Sequence, residues 1–102
     1  DVLMSRYDVY PNPSGPGYLL DVQADILQQM STRAVVPLLP LSEVLKPAKT
    51  LNPVFDIAGE PHVMMTQYLA AVPERELQTP TCSLQHQHDG IVAAVDFLFH
   101  GF

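Results

Sequence analysis

Four histidines, one cysteine and eleven carboxylates are the reactive side chains of this 102-residue chain, and their spacing decides what they can do. His86 and His88, followed by Asp89, make the tightest imidazole–carboxylate cluster. Histidines at i and i+2 of a helix point apart, and no second ligand pair stands at a zinc-like spacing. The cluster therefore reads as a polar helix start, with no metal site. Cys82 lies near His86, but a thiol nucleophile needs a positioned base and no known local signature surrounds it. A half-buried, inert thiol is expected. Asp21 and Asp25, four apart on an extended strand, share a face at a separation of about 13 Å, too wide for joint acid–base work. PSGPG (13–17) lacks the lysine of a phosphate loop. No cofactor is implied, and the chain reads as a binding protein, not an enzyme.

Charge narrows the partners. Eleven acidic residues against five basic ones give a net charge of −6. Arg6, Arg33, Lys46, Lys49 and Arg75 are scattered, so no basic footprint for direct nucleic-acid binding exists in the sequence. Hydrophobic residues at 47% and charged residues at 16% describe one globular domain over residues 1–102. So few charges point to apolar surface covered by a partner, most simply a second copy. A lone cysteine precludes an internal disulfide and suits a reducing cytoplasm. No apolar run approaches the ~18 residues of a membrane span. Residues 1–3, preceding Met4, are expected to be a cloning remnant, and no signal peptide is visible.

The elements that would position these groups are short, because ten prolines and five glycines punctuate the chain and favour strands and turns. RYDVYPNP (6–13) is an alternating strand stopped by Pro11. YLLDVQADIL (18–27) is a second strand with Val22, Ala24 and Ile26 on one face. TRAVVPLLPL (32–41) is an apolar run too short for a helix and hence a buried strand, whose end Pro37 and Pro40 would place at a sheet edge. VFDI (54–57), a turn around Ala58-Gly59-Glu60 and HVMMT (62–66) form a hairpin, with one of Met64 and Met65 facing the core. AAVP (70–73) is a last short strand, and residues 74–83 form a polar loop. A helix begins near Ser83 or Leu84. Ile91, Ala94, Val95, Leu98 and Phe102 make its apolar stripe, opposite Gln85, Asp89, Asp96 and His100. Asp96 and His100 stand at i and i+4 and can pair. Gly101 suits the left-handed exit from the helix. The sum is a mainly β, α+β architecture: a small barrel of about five antiparallel strands with one C-terminal helix laid on it.

LLDVQADIL (19–27), VVPL (35–38), LNPVFDI (51–57) with HVMMT (62–66), AAVP (70–73) and FLFHGF (97–102) occur in an order that resembles the CcdB family. The resemblance runs from about Arg6 to Phe102 and is loosest at 39–50 and 74–83. It implies an SH3-like barrel with a small β-wing and a C-terminal helix, assembled as a homodimer in the cytoplasm. It further implies the toxin of a plasmid-maintenance toxin–antitoxin module, one that binds the A subunit of DNA gyrase, traps the cleaved-DNA complex and is neutralised by its cognate antitoxin. The gyrase-facing residues it implies are Ala24, Ile26 and Leu27 together with Asp96, His100, Gly101 and Phe102. The family's terminal pattern is Trp-Gly-aliphatic. Here His100 replaces the tryptophan, Phe102 the aliphatic residue and Asp96 an asparagine. These departures define an alternative, a chromosomal relative that binds antitoxin but engages gyrase weakly. An SH3-like endoribonuclease toxin is the remaining alternative, and the acidic balance argues against it.

Overall fold

The computed structural model describes residues 5–27 and 30–101. Seven strands run in chain order: β1 Asp8–Pro11, β2 Tyr18–Asp21, β3 Thr32–Pro40, β4 Val54–Ile57, β5 Glu60–Met64, β6 Ala70–Pro73 and β7 Cys82–Ser83, followed by one helix, α1, His88–His100. All pairings are antiparallel, in the order β4-β5-β3-β2-β1-β7, with β6 also on β3. The sheet curls into a nearly closed small barrel with the helix against it, as the sequence leads one to expect.

The nine-residue β3 is the spine. One edge pairs with β2 through Val35–Leu38; the other pairs with β6 through Thr32–Val35, then with β5 through Leu38–Pro40. The sequence reading put Pro37 at a sheet edge. It lies instead mid-strand in the central strand. The Val22 amide donates to the Ala34 carbonyl at 3.0 Å, and ladder alternation then makes Leu19↔Pro37 a non-hydrogen-bonded pair. The missing Pro37 N–H therefore faces the other edge, in the gap between β6 and β5, where no ladder donor is required. The Pro37 carbonyl points the same way and accepts the Met65 amide at 2.9 Å.

β2 also ends earlier than its composition suggests. Side chains replace the ladder after Asp21. The Asp21 carboxylate accepts the Gln23 amide at 2.9 Å, the Gln23 carboxamide oxygen accepts the Ala34 amide at 3.0 Å, and the Gln23 amino group donates to the Leu27 carbonyl at 2.9 Å. Asp25–Leu27 is a 3-10 turn, not strand. Asx-type bonding of this kind competes directly with strand continuation. The polar loop 74–83 likewise holds hidden order: a 3-10 turn at Glu74–Glu76, the buried Leu77, and β7 paired with Asp8 and Val9. Met64 and Met65 are both buried, because the chain turns at Met65 into a 3-10 turn, Thr66–Tyr68, and alternation stops.

The main core lies between the barrel wall and α1 and includes Val9, Leu20, Val36, Leu38, Met64, Ile91 and Ala94. The opposite face of β1–β3 carries a smaller cluster, Tyr10, Leu19, Val35 and Leu77. Beside it Arg33 Nε donates to Asp21 Oδ2 at 2.9 Å and Nη2 approaches the same oxygen at 2.6 Å, both side chains fully buried. Burial, outweighing the Gln23 amide and the Arg33 guanidinium, holds the Asp21 carboxyl above its ordinary 3.8. The folded chain thus holds that proton more tightly than the unfolded one. Asp21's contribution to stability is complete below pH 3.8 and declines as pH rises through the folded value. The urea midpoint of the wild type, taken relative to Asp21→Asn, is expected to fall as pH is raised through that window.

Two turns depend on positive φ. Ala58 at +54° and Gly59 at +83° form the two-residue link between β4 and β5, the mirror-image turn favoured in hairpins. Gly17 at +84° ends the β1–β2 loop, where its carbonyl accepts the Asn12 amide at 3.2 Å, and a Cβ there would collide with the Leu38 carbonyl oxygen. Gly17→Ala combines a left-handed penalty of about 1–2 kcal/mol with a backbone clash. It is expected to lower unfolding free energy by at least about 2 kcal/mol in urea titrations, whereas Gly15→Ala, with open space around it, stays within about 0.5 kcal/mol.

Candidate interaction surface

The helix that carries most of the sequence-predicted site starts later than its first polar residues suggest. Ser83 belongs to β7, the Leu84 amide donates to the Tyr7 carbonyl at 2.8 Å, and Gln85–Gln87 form a 3-10 turn before α1 begins at His88. Tyr7 anchors this start. Its ring is fully buried, its hydroxyl lies 2.7 Å from His88 Nδ1, and the two rings meet edge to face at 5.4 Å. Its backbone is left-handed at φ +75°, a strained state for a bulky residue, held by its amide on the Asp21 carbonyl at 2.6 Å. Burial pushes the Tyr7 phenol up, the Arg6 guanidinium 4.8 Å from its ring centroid opposes, and Asp25 adds to the rise, so the hydroxyl keeps its proton. His88 thereby has a structural task. Among the described residues no group of three His, Cys, Asp or Glu side chains is arranged to hold a metal. Burial, with Asp8 nearby, also raises the Cys82 thiol and keeps it protonated.

α1 buries Ile91 and Ala94, with Val95 packed beside them, as the stripe predicts. Its other end leaves the barrel. Leu98 and Phe97 are half-buried, Asp96 and His100 are exposed, and Phe99 is 64% exposed. Gly101 closes the helix at φ +77°, its amide donating to the Phe97 carbonyl at 2.8 Å. The left-handed exit anticipated from the sequence is present, and a side chain there would meet nothing within 4 Å. The left-handed conformation is what calls for glycine here, and His100 and Asp96 sit on the last two turns before it. Phe102 lies outside the described residues.

The second sequence-predicted patch is on a different element. Ala24 is exposed just before the 3-10 turn Asp25–Leu27, and Leu27 is 45% exposed; the Ile26 side chain lies outside the described residues. The turn is clamped by Asp25 Oδ1, which accepts the Arg6 amide at 2.7 Å. Ala24 and Leu27 therefore face solvent from the 3-10 turn and the residue just before it, not from the strand end first expected. Among the described residues, the large apolar side chains at least half exposed that were not singled out from sequence are Leu45, Phe99, Tyr68 at 58% and Met30 at 50%. Tyr68 stands on the 3-10 turn that packs against α1. The signal for Phe99 was available: Val92, Val95 and Phe99 add a second apolar row to the Ile91 stripe, and a helix apolar on most sides requires more cover than one barrel wall supplies.

Of the five basic residues, Arg33 is fully buried and Arg6 half-buried, leaving Lys46, Lys49 and Arg75 exposed. No described helix is long and apolar enough to cross a membrane. What the surface offers is an aromatic helix tip and a short apolar turn, a set suited to docking. Phe99→Ser removes a side chain that is mostly in water and is expected to leave the chain's unfolding free energy within about 0.5 kcal/mol of wild type in urea titrations at low protein concentration.

A family model described as CcdB protein matches residues 6–101 of the chain. Among solved structures, a mycobacterial endoribonuclease in complex with its cognate antitoxin is similar in fold, with a TM-score of 0.74 and 13% identity over 94% of this chain and 94% of that chain.

Proposed function

Since the chain belongs to the CcdB family of toxin–antitoxin toxins, we propose that it acts by binding, as a homodimer that grips the A subunit of DNA gyrase and traps the cleaved-DNA complex until its cognate antitoxin releases it. It catalyses nothing in this scheme. The observation that carries the reading is the end of α1: Phe99 exposed at 64%, with Asp96, His100 and Gly101 exposed beside it. An aromatic anchor next to small and polar groups is what interface centres are made of. Phe102 extends the same tip in the sequence, and Ala24, Ile26 and Leu27 supply the second contact. The half-buried apolar rows of α1 support the second copy as the first layer of cover.

His100 favours a second reading. Tryptophan is the residue most enriched at interface hot spots. An imidazole in its place gives a toxin that binds antitoxin but holds gyrase weakly. The fold likeness to an endoribonuclease does not carry ribonuclease chemistry to this chain, and three exposed basic side chains are a poor phosphate footprint.

Expression without antitoxin is expected to arrest growth and to accumulate gyrase-linked DNA breaks. Phe99→Ser, which spares the fold, is expected to abolish both. His100→Trp is expected to tighten gyrase binding roughly thirtyfold, the equivalent of about 2 kcal/mol. Full growth at high expression, with no cleavage complexes formed by purified protein, would leave only the antitoxin-binding relative.

A further inference from the structure

The barrel is nearly closed, and the place where it fails to close has a chemistry of its own. β4 and β7 are the two ends of the strand order. Beside β4 lies a cleft of about 440 Å³, lined by Val54, Phe55 and Asp56 on the β4 bank and, on the other, by Leu84 with His86 and Gln87 of the 3-10 turn that follows β7. Its floor is apolar, since Phe55 and Leu84 are buried. Among the described residues that line it, the rim is polar, with Asp56, His86 and Gln87, and holds the Asp56 carboxylate with no lysine or arginine.

The β4 bank presents open backbone groups. The Met64 amide donates to the Pro53 carbonyl at 2.9 Å. Alternation from that bond makes Phe55↔His62 and Ile57↔Glu60 the hydrogen-bonded pairs, and Val54↔Val63 and Asp56↔Pro61 the non-bonded ones. The N–H and C=O groups of Val54 and Asp56 therefore point away from β5, into the cleft. Val54 is also 45% exposed on the outer face. This is a strand edge awaiting a neighbour.

We propose that this cleft takes up an extended peptide segment of a partner protein, added as a strand on the free edge of β4, in which apolar residues alternate with basic ones. Strand addition of this kind draws affinity from main-chain bonds and specificity from alternate side chains. Residues facing inward meet Phe55 and Leu84, so they are apolar. Residues facing outward lie beside Val54 and Asp56, so a basic side chain gains a cross-strand partner. The net charge of −6 favours the same partner at longer range. A second copy of the chain is disfavoured, because edge-to-edge pairing would bring another Asp56 carboxylate onto the same four-residue strand. The proposal is independent of the gyrase reading, since it uses neither the α1 tip nor the Asp25–Leu27 turn.

The test uses the full chain and two blocked peptides, one alternating arginine and valine (RVRVR), the other glutamate and valine (EVEVE), at about 150 mM salt to screen long-range attraction. The arginine peptide is expected to bind and to slow hydrogen exchange at the Val54 and Asp56 amides, while the glutamate peptide does neither. Asp56→Lys is expected to weaken the arginine peptide about tenfold and to admit the glutamate peptide. Three results would each overturn the proposal: no binding of the arginine peptide, protection confined to other amides, or equal binding by Asp56→Lys. Protection of Val54 and Asp56 in the free protein that grows with its concentration would assign the edge to a second copy instead.

Discussion

Everything in this barrel hangs on β3 keeping two different neighbours on one edge while holding β2 along the other. The hand-over from β6 to β5 leaves a stretch without a ladder partner, and that is where Pro37 stands. A residue with no N–H is harmless only at such a gap, and its carbonyl is still used by Met65. The hand-over lets one short sheet bend around a core. It also fixes where the chain leaves the sheet, in the Thr66–Tyr68 turn that meets α1.

The bend leaves the sheet with two buried faces. The inner one is apolar. The outer one holds the Asp21–Arg33 ion pair beside Tyr10, under the segment that carries Leu77. Arg33 Nη1 has no hydrogen-bond partner among the described residues. A buried pair contributes little net stability, but loss of one partner costs several kcal/mol. Its role is to fix position: Asp21 closes β2, sets the Gln23 turn and accepts the Tyr7 amide on its carbonyl. The exposed turn Asp25–Leu27 and the helix anchor Tyr7 are thus placed by one residue.

Local patterns in the sequence carried the hairpin, the AAVP strand, the apolar stripe of α1 and the glycine exit at Gly101. Each depends on residues a few positions apart. What the patterns missed depends on distant partners. Val22, Ala24 and Ile26 alternate like a strand, but the carboxamide of Gln23 reaches Ala34 and ends it. Ser83 looks like a helix cap, and its Oγ does accept the Gln85 amide at 3.2 Å, yet pairing with Asp8 claims it for β7. Arg33 counts as surface charge in any composition and is fully buried. At the helix end, the exposed Asp96 and His100 and the exit at Gly101 were legible from the helical period, whereas a docking role for them came only from the family resemblance. Phe99 was missed although its row with Val92 and Val95 was there to read, because a single apolar stripe had already accounted for the core.

Tyr7 joins regions eighty-one positions apart through its hydroxyl and His88. It also receives the Leu84 amide on its carbonyl. β1 consequently has no second neighbour, and the Tyr7 carbonyl and hydroxyl lack these partners, until the last fifth of the chain has left the ribosome. During translation the early strands wait with apolar faces open, and sealing comes from late arrivals. Folds closed by such distant contacts form slowly and stay exposed to aggregation meanwhile. A helper that shields the nascent barrel would therefore be most useful before α1 emerges.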